Sequence, residues 1–379
     1  MRKKYIMLAI AVILAIAVVL GGCAKATPTP TPAPAPSEAD NPLEGLMVKP
    51  DGTKYKYAVA YLFLGCDWMV NAEGIAKSLI ERADGEYIRN DCNVIADDQI
   101  AFVEDLATLK NADALLIQPV DEEMLGPSCD KCAAAGIPVI AWDIAVNTDT
   151  LLSTVLFDWD GDAGSNLVGE YFVERAHAEN RQINVYEVWG MRSQENSQSR
   201  HRGFWAGVNN DPLVNIIESP DCNWSDEVAS TLVMDAFTAQ PELNGVFVHG
   251  GGSTGAIEGL NSIGKLLPLD DPNHIIVAVN DLDKRVVEGI DAEEVDACAT
   301  NSPWPNIDIS FKLAGLSIIL GEDVPNKVVV PAVVITSENI DSKELFGALV
   351  AYPRMPVGQW DLWPILDTTS IGIPTPTVK

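Results

Sequence analysis

Short runs of apolar residues alternate with amphipathic segments through most of this chain, from about residue 55 to residue 340. Runs such as Tyr57–Leu64 and Ala114–Ile117 are apolar throughout, which predicts strands that are buried on both faces. In segments such as Ala72–Ala83, apolar residues recur three and four positions apart, which predicts helices. Strands and helices that alternate at this spacing predict a parallel sheet with right-handed crossovers.

The alternation forms two successive blocks that are separated by a pause at Val155–Asp160, so it predicts an α/β fold with two similar doubly wound lobes. The predicted strands are Tyr57–Leu64, Asn93–Ile95, Ala114–Ile117, Pro138–Ala141, Asn184–Trp189, Val214–Glu218, Gly245–Val248, His274–Val279, Val295–Thr300 and Val328–Val334. The predicted helices are Ala72–Ala83, Asp98–Lys110, Glu122–Ala135, Gly164–Ala178, Arg200–Asn209, Ser225–Ala239, Ser253–Ile263, Asp283–Ile290 and Ile307–Leu320.

The first residues of the chain have the pattern of an export signal. A basic start is followed by an apolar run, Ile6–Leu20, which is short for a membrane-spanning helix. The run ends in Leu20-Gly21-Gly22-Cys23, which resembles the lipobox of bacterial lipoproteins. That resemblance implies cleavage before Cys23 and lipidation of Cys23. The alternatives are an ordinary secretory signal and an N-terminal anchor helix.

A proline-rich segment, residues 27–36, follows the lipobox and predicts an extended, semi-rigid spacer. We therefore expect a folded body that is held outside the cytoplasm by a lipid anchor. The net charge of −29 argues against a nucleic-acid partner and against a body that lies flat on anionic lipid.

Six cysteines follow Cys23, and an oxidising compartment would allow them to form disulfides. Cys129 and Cys132 lie one turn apart in a predicted helix, where they would form a redox pair, half of a metal site, a local disulfide or two buried thiols. The four histidines are not paired at metal-ligand spacing, and no lysine follows the glycine-rich stretch 250–252. We therefore expect no metal and no cofactor.

Ligands of open parallel sheets bind beyond the carboxyl ends of the strands, so the residues that follow each strand are informative. In this chain they are rich in tryptophan, aspartate and asparagine. Aromatic faces pack on the C–H groups of sugar rings, and carboxylates and amides bind pairs of hydroxyls. The composition of these loops therefore suits a sugar site beyond the carboxyl ends of the strands.

Several segments, in this order along the chain, resemble the solute-binding proteins of sugar ABC transporters of the ribose- and galactose-binding type. They are Pro138–Asp143, Asp160–Gly164, Ser197–Phe204, Val277–Asp281, Ala297–Pro303, Gly321–Pro325 and Ile335–Ile340. The resemblance implies a type 1 periplasmic binding protein fold, whose three hinge crossings would lie near 159–161, 301–303 and 333–336. It also implies a clamp that closes on a monosaccharide or related polyol and then delivers it to a membrane permease.

The combined interpretation gives a domain organisation in five parts. They are a signal peptide (1–22), the lipidated cysteine and tether (23–50), an N-terminal lobe (51–159 with 302–333), a C-terminal lobe (160–301 with 334–345) and a tail that wraps the surface (346–379). We expect a monomeric, non-enzymatic subunit of an importer.

Nine residues are candidates for contact with the ligand. Trp68 and Trp142 would stack on the sugar ring, and the remaining seven would bind hydroxyls or line the cleft. Those seven are Asp143, Asp160, Gln198, Arg200, His249, Asp281 and Asn301. The sequence places His249 equally well in the pocket or in a turn. Arg200 could form a structural ion pair at a helix start instead of contacting the ligand.

Three other interpretations remain open at this stage. The same fold could bind a nucleoside, a furanosyl signal molecule or inositol, or it could serve as a sensor subunit. Gly251–Gly255 also matches the G-x-S-x-G pattern of α/β-hydrolases, with Ser253 as nucleophile. However, His274 is the only histidine after Ser253, and it opens a predicted strand.

Overall fold

The structure is a computed structural model that describes residues 41–157, 163–340 and 360–378. Cys23, Asp160 and the crossing predicted at 159–161 lie outside the described residues. Within the described ranges, no helix is both long enough and apolar enough to cross a membrane.

Twelve strands and nine α-helices are formed by the part of the chain that the structure describes. The strands are β1 (Lys56–Tyr61), β2 (Glu86–Asp91), β3 (Ala114–Ile117), β4 (Val139–Trp142), β5 (Ser153–Phe157), β6 (Ile183–Val188), β7 (Val214–Glu218), β8 (Gly245–Val248), β9 (Ile276–Asn280), β10 (Ala297–Ala299), β11 (Lys327–Val330) and β12 (Val334–Ile335). The helices are α1 (Asp67–Arg82), α2 (Ala96–Leu109), α3 (Gly126–Ala134), α4 (Ala163–Glu179), α5 (Glu195–Val208), α6 (Asp226–Ala239), α7 (Ser253–Ser262), α8 (Lys284–Asp291) and α9 (Pro303–Ala314).

The strands form two six-stranded sheets with corresponding strand orders, which confirms the predicted fold class. The sheet of the N-terminal lobe has the order β11-β5-β4-β3-β1-β2, and that of the C-terminal lobe has the order β12-β10-β9-β8-β6-β7. All neighbouring strands are parallel except β10 and β12. Each lobe has an apolar core on both faces of its sheet.

Two crossings between the lobes lie in the described residues. The chain leaves the C-terminal sheet after β10 and enters the N-terminal lobe at α9, through Thr300–Ser302. It returns between β11 and β12, through residues 331–333. The single late strand predicted at Val328–Val334 is therefore wrong, because this segment contributes one strand to each sheet.

A second prediction, the strand at Asn93–Ile95, is also wrong. Asn93 and Val94 have φ values of 49° and 65°, which turn the chain and are incompatible with an extended strand. The strand of this region is β2, an edge strand whose side chains are mostly half-buried or exposed. The predicted pause at Val155–Asp160 contains the end of β5, which pairs with β4 and β11.

Both ends of the described chain pack on the N-terminal lobe. The sequence predicts a tether as far as residue 50, whereas Leu43, Leu46 and Met47 are buried in the core of that lobe. The packed body therefore begins earlier than predicted. The described part of the predicted tail places Trp363 and Leu366 in the same core.

Candidate functional site

A cleft between the two lobes contains about 340 Å³ of atom-free space, part of it open to solvent. Its walls come from loops that follow strands in both sheets, as expected for this topology. The wall formed by the N-terminal lobe is mainly apolar and contains Leu62, Phe63, Cys66, Trp68 and Met69.

Two carboxylates face each other across the cleft. Asp143 follows β4 in the N-terminal lobe, and Asp281 follows β9 in the C-terminal lobe. The side-chain amide of Asn301, at a crossing, donates to Asp281 Oδ1 at 3.1 Å and to Asp143 Oδ1 at 3.4 Å. One amide therefore bridges the acidic groups of both lobes.

The guanidinium of Arg200 is the cation that lines this cleft. It donates to Asp281 Oδ1 at 3.2 Å and to the main-chain oxygen of His249, and it lies over the ring of Trp224. The Gly251 N–H also donates to Asp281, at 2.9 Å from Oδ2. Arg200 thus forms a structural ion pair and lines the cleft as well.

The cleft changes the acidity of both carboxyl groups. Burial raises the pKa of Asp143 to about 6, although Arg200 and a hydrogen bond from Gln118 oppose the shift. Gln118 Nε2 lies 2.6 Å from Asp143 Oδ2. Burial also raises the pKa of Asp281, and again the charge of Arg200 opposes this. Both carboxyl groups are therefore held in a cleft that favours their neutral form.

The raised pKa of Asp143 predicts a pH dependence of stability. An ionised Asp143 destabilises the folded state, so this residue should lower the free energy of unfolding progressively as the pH rises from 3.8 to about 6. A shift of this size corresponds to about 3 kcal/mol. Chemical denaturation at several pH values should show this fall in the unsubstituted protein relative to Asp143→Asn, which cannot ionise. Parallel curves for the two proteins would contradict the prediction.

The two predicted stacking residues have different positions. Trp68 lines the cleft, and its Nε1–H donates to the Asn301 carbonyl at 2.9 Å. Trp142 is fully buried behind it, with its ring stacked on that of Trp68 at 6.2 Å and edge-on to Tyr61. The prediction that Trp142 stacks on a ligand is therefore wrong, because it presents no surface to the cleft.

Gln198 and His249 do not line the cleft either. Gln198 Nε2 donates to the Arg192 carbonyl at 2.6 Å, on another face of α5. His249 is fully buried, with Nδ1 3.1 Å from Ser197 Oγ and Nε2 2.9 Å from Glu187 Oε1. It contributes to the site through its carbonyl, which accepts from Arg200.

Four polar or aromatic residues of the cleft are absent from the predicted contacts: Phe63, Gln118, Asn196 and Trp224. All four belong to loops or helix starts that follow strands. The region of Gln118, Asn196 and Trp224 is predicted but the orientation of their side chains is not, and Phe63 falls inside the predicted strand Tyr57–Leu64. Asn196 and Arg200 are four positions apart on α5, and this spacing places them on one face of the helix.

A group of side chains outside the cleft has the spacing of metal ligands. Among the described residues, Glu187, His201 and Glu218 have ligand atoms within 4.8 Å of one another. Each carboxylate already accepts protein hydrogen bonds, that of Glu187 from His201 and that of Glu218 from Trp189. Although burial opposes ionisation, hydrogen bonds from the histidines lower the pKa of Glu187 to about 2. Protein contacts account for this cluster.

The structure does not assemble a hydrolase triad on Ser253. Ser253 is buried, and its hydroxyl donates to the Asn280 carbonyl at 3.0 Å. His274 Nδ1 lies 2.7 Å from the Leu267 carbonyl and Nε2 lies 2.8 Å from Asp296 Oδ2, so both ring nitrogens have other partners.

Comparisons with known proteins give relatives with the same architecture. The ribose import binding protein RbsB of Escherichia coli is 25% identical over 168 residues, or 44% of this chain. The match covers 54% of that relative, so this chain spans about half its length. The xylitol-binding protein of Mycolicibacterium smegmatis is 23% identical over 261 residues, covering 68% of this chain and 70% of the relative.

A solved structure of an ABC transporter solute-binding protein from Mycobacterium smegmatis, with bound glycerol, superposes with a TM-score of 0.65. It is 25% identical, and the match covers 75% of this chain and 94% of that protein. The family described as periplasmic binding protein domain matches residues 57–318. This match covers more than half of the chain, so the protein belongs to the periplasmic binding protein family.

Proposed function

We propose that this protein is the solute-binding subunit of an ABC importer, which takes a monosaccharide or related polyol into the cleft and delivers it to a membrane permease. The observation that carries the proposal is the pair of buried carboxylates, Asp143 and Asp281, bridged by Asn301 at the crossing between the lobes. A ligand that contacts both carboxylates would couple binding to closure of the lobes.

The hydrogen-bonding capacity of the cleft favours a ligand rich in hydroxyl groups. Gln118 Oε1 and Asn301 Oδ1 are buried and have no hydrogen-bond partner among the described residues. Buried oxygens of this kind need donors, and ligand hydroxyls would supply them. The guanidinium of Arg200 would donate to the oxygens of the same ligand.

The aromatic side chains of the cleft support the same ligand class. Trp68 and Phe63 line one wall, and Trp224 lines the opposite wall. Aromatic faces on both sides would enclose the C–H surfaces of a sugar ring or of a polyol chain. The names of the relatives, which include a ribose import binding protein and a xylitol-binding protein, agree with this class.

A thermal-unfolding screen of residues 38–379 tests the proposal. A ligand that binds only the native state with micromolar affinity adds about 4 kcal/mol of stability at millimolar concentration. We expect stabilisation by a monosaccharide or a polyol. Stabilisation by nucleosides alone would favour the nucleoside-binding alternative. Ester hydrolysis that disappears in Ser253→Ala, with no stabilisation by any ligand, would overturn the proposal.

We also propose that Cys23 carries the lipid that anchors this body, as the likeness of its surroundings to a lipobox suggests. In a bacterial host, Cys23→Ser should abolish incorporation of labelled palmitate and move the protein from the detergent phase to the aqueous phase. Cys66→Ser, which changes a cysteine of the folded body, is the matched control and should leave labelling unchanged. Labelling that persists in Cys23→Ser would contradict the assignment.

A further inference from the structure

The C-terminal strap, defined here as residues 360–378, packs on the N-terminal lobe and lies beyond the residues that match the family. Its residues Trp363, Leu366 and Ile373 are buried in the core of that lobe. The strap contacts α1 and α9, which are the two helices that begin beside the cleft. Trp68 is in the first turn of α1, and Asn301 immediately precedes the N-cap of α9.

A buried lysine joins α9 to the strap. Lys312 and Asp308 are both fully buried on α9, and Lys312 Nζ lies 2.5 Å from Asp308 Oδ2. The same ammonium donates to the Leu366 carbonyl and to Thr368 Oγ1, the latter at 2.9 Å. An ammonium has three N–H groups, so the strap supplies two of the three acceptors that satisfy this buried charge.

Aromatic and polar contacts join the strap to α1. The ring of Trp360 lies against Gly74, where an added Cβ would be only 2.6 Å from Cζ2 of the ring. Arg82, the last residue of α1, donates to the Trp363 carbonyl at 2.7 Å. The strap therefore holds α1 at its middle and at its end.

The same two helices are also connected at the cleft. The indole of Trp68 donates to the Asn301 carbonyl, and the Asn301 side chain donates to both Asp143 and Asp281. We propose that the strap restrains opening of the cleft: by holding α1 against α9, it preserves the bond between Trp68 and Asn301 on which the bridge between the lobes depends. Without the strap, α1 would separate from α9 more often and the cleft would open more often.

Cys66 offers a probe of opening that needs no ligand, so the test is independent of the proposed function. Cys66 immediately precedes α1, lines the cleft and is 9% exposed. Burial, together with the charge of Asp283, raises the pKa of its thiol well above the ordinary value. Opening would hydrate the thiol, which makes alkylation faster. Cys129, fully buried in another core layer of the same lobe, reports unfolding.

The experiment is alkylation of the folded protein by N-ethylmaleimide, with each cysteine followed by mass spectrometry. In the double variant Trp360→Ala/Trp363→Ala, we expect Cys66 to react about 5- to 10-fold faster than in the unsubstituted protein, while Cys129 reacts at an unchanged rate. Val103→Ala is the matched control, because Val103 is buried in α2 and belongs to the core layer of Cys129. This variant destabilises the same lobe without touching the strap, so it should not accelerate the labelling of Cys66 relative to that of Cys129.

A second variant keeps every residue of the strap. Alanine is a better helix former than glycine, so Gly74→Ala should not weaken α1 itself. Its methyl group would displace the ring of Trp360, so this variant should also accelerate labelling of Cys66 selectively. In a Trp360→Ala background, Gly74→Ala should add no further acceleration. If the double variant does not fold, the labelling of Gly74→Ala alone tests the proposal. An unchanged rate for Cys66, or equal acceleration of Cys66 and Cys129, would overturn the proposal.

Discussion

Replacing Asp281 by asparagine should weaken ligand binding at least about 100-fold and lower the free energy of unfolding by about 3 kcal/mol. Asp281 accepts hydrogen bonds from Arg200, Asn301 and the Gly251 main chain. An asparagine keeps the shape of the side chain but leaves the guanidinium of Arg200 buried without its carboxylate. It also replaces a charged acceptor for ligand hydroxyls by a neutral one.

Calorimetric titration with the ligand identified in the thermal screen would measure the loss of affinity. The matched control is Asp221→Asn in the same lobe, because Asp221 also pairs with an arginine, with its Oδ1 2.5 Å from Arg192 Nη1. That pair is about one third exposed and lies outside the cleft, so the affinity should not change. An affinity within threefold of the unsubstituted value in Asp281→Asn would show that the carboxylate does not contact the ligand.

The inner strands β3 and β8 have the predicted bounds and are buried at every position. The edge strand β7 also has the predicted bounds, although only its first residue is buried. Continuous burial on both faces produces a continuous apolar run, which is recognisable without knowledge of the neighbouring strands. The edge strand β2, with the sequence EYIRND, lacks this signal because its side chains contact solvent on the outer side.

The acidic residues of the cleft could be predicted because the topology determines where they lie. Asp143 and Asp281 follow corresponding strands, β4 and β9, and have φ values of 60° and 68°. The orientation of neighbouring side chains could not be predicted with the same rule. Trp142 is the last residue of β4 and its side chain enters the core, whereas the chain turns at Asp143, which has a positive φ, and that side chain faces the cleft.

Helical periodicity explains why Gln198 was a poor candidate. Residues two positions apart on a helix lie about 200° apart around its axis, so Gln198 and Arg200 cannot face the same cleft. Asn196 shares the face of Arg200 and lines the cleft with it. The start of α5 lies five residues before the predicted start, and Asn196 falls in that missed turn. A correct helix start would have identified Asn196.

A short repeat in the sequence also carries information about the position of Trp224. The tripeptide Asp-Cys-Asn occurs at residues 91–93 and again at residues 221–223. In both copies the asparagine and the residue after it, Val94 or Trp224, have positive φ. The two turns follow corresponding strands, β2 and β7. Symmetry between the lobes would have placed Trp224 beyond the sheet, on the side of the cleft.

Replacing Gly250 by alanine should abolish ligand binding and destabilise the protein by about 2–6 kcal/mol. Gly250 has a φ of +104°, which side chains other than glycine rarely adopt, and strain of this kind costs about 1–3 kcal/mol. A Cβ at this position would overlap the Asp281 carboxylate and lie 2.7 Å from Arg200 Nη1. The methyl group would therefore separate the ion pair, and overpacking of this kind adds about 1–3 kcal/mol.

Gly264→Ala separates the effect of backbone strain from the effect of overlap. Gly264 also has a positive φ, +68°, but no atom lies within 4 Å of an added Cβ. Its substitution should cost about 1 kcal/mol and leave the affinity unchanged. Equal losses of stability in the two variants, as measured by chemical denaturation, would mean that Asp281 and Arg200 move apart without cost. In that case the ion pair would not be the rigid element that positions the ligand.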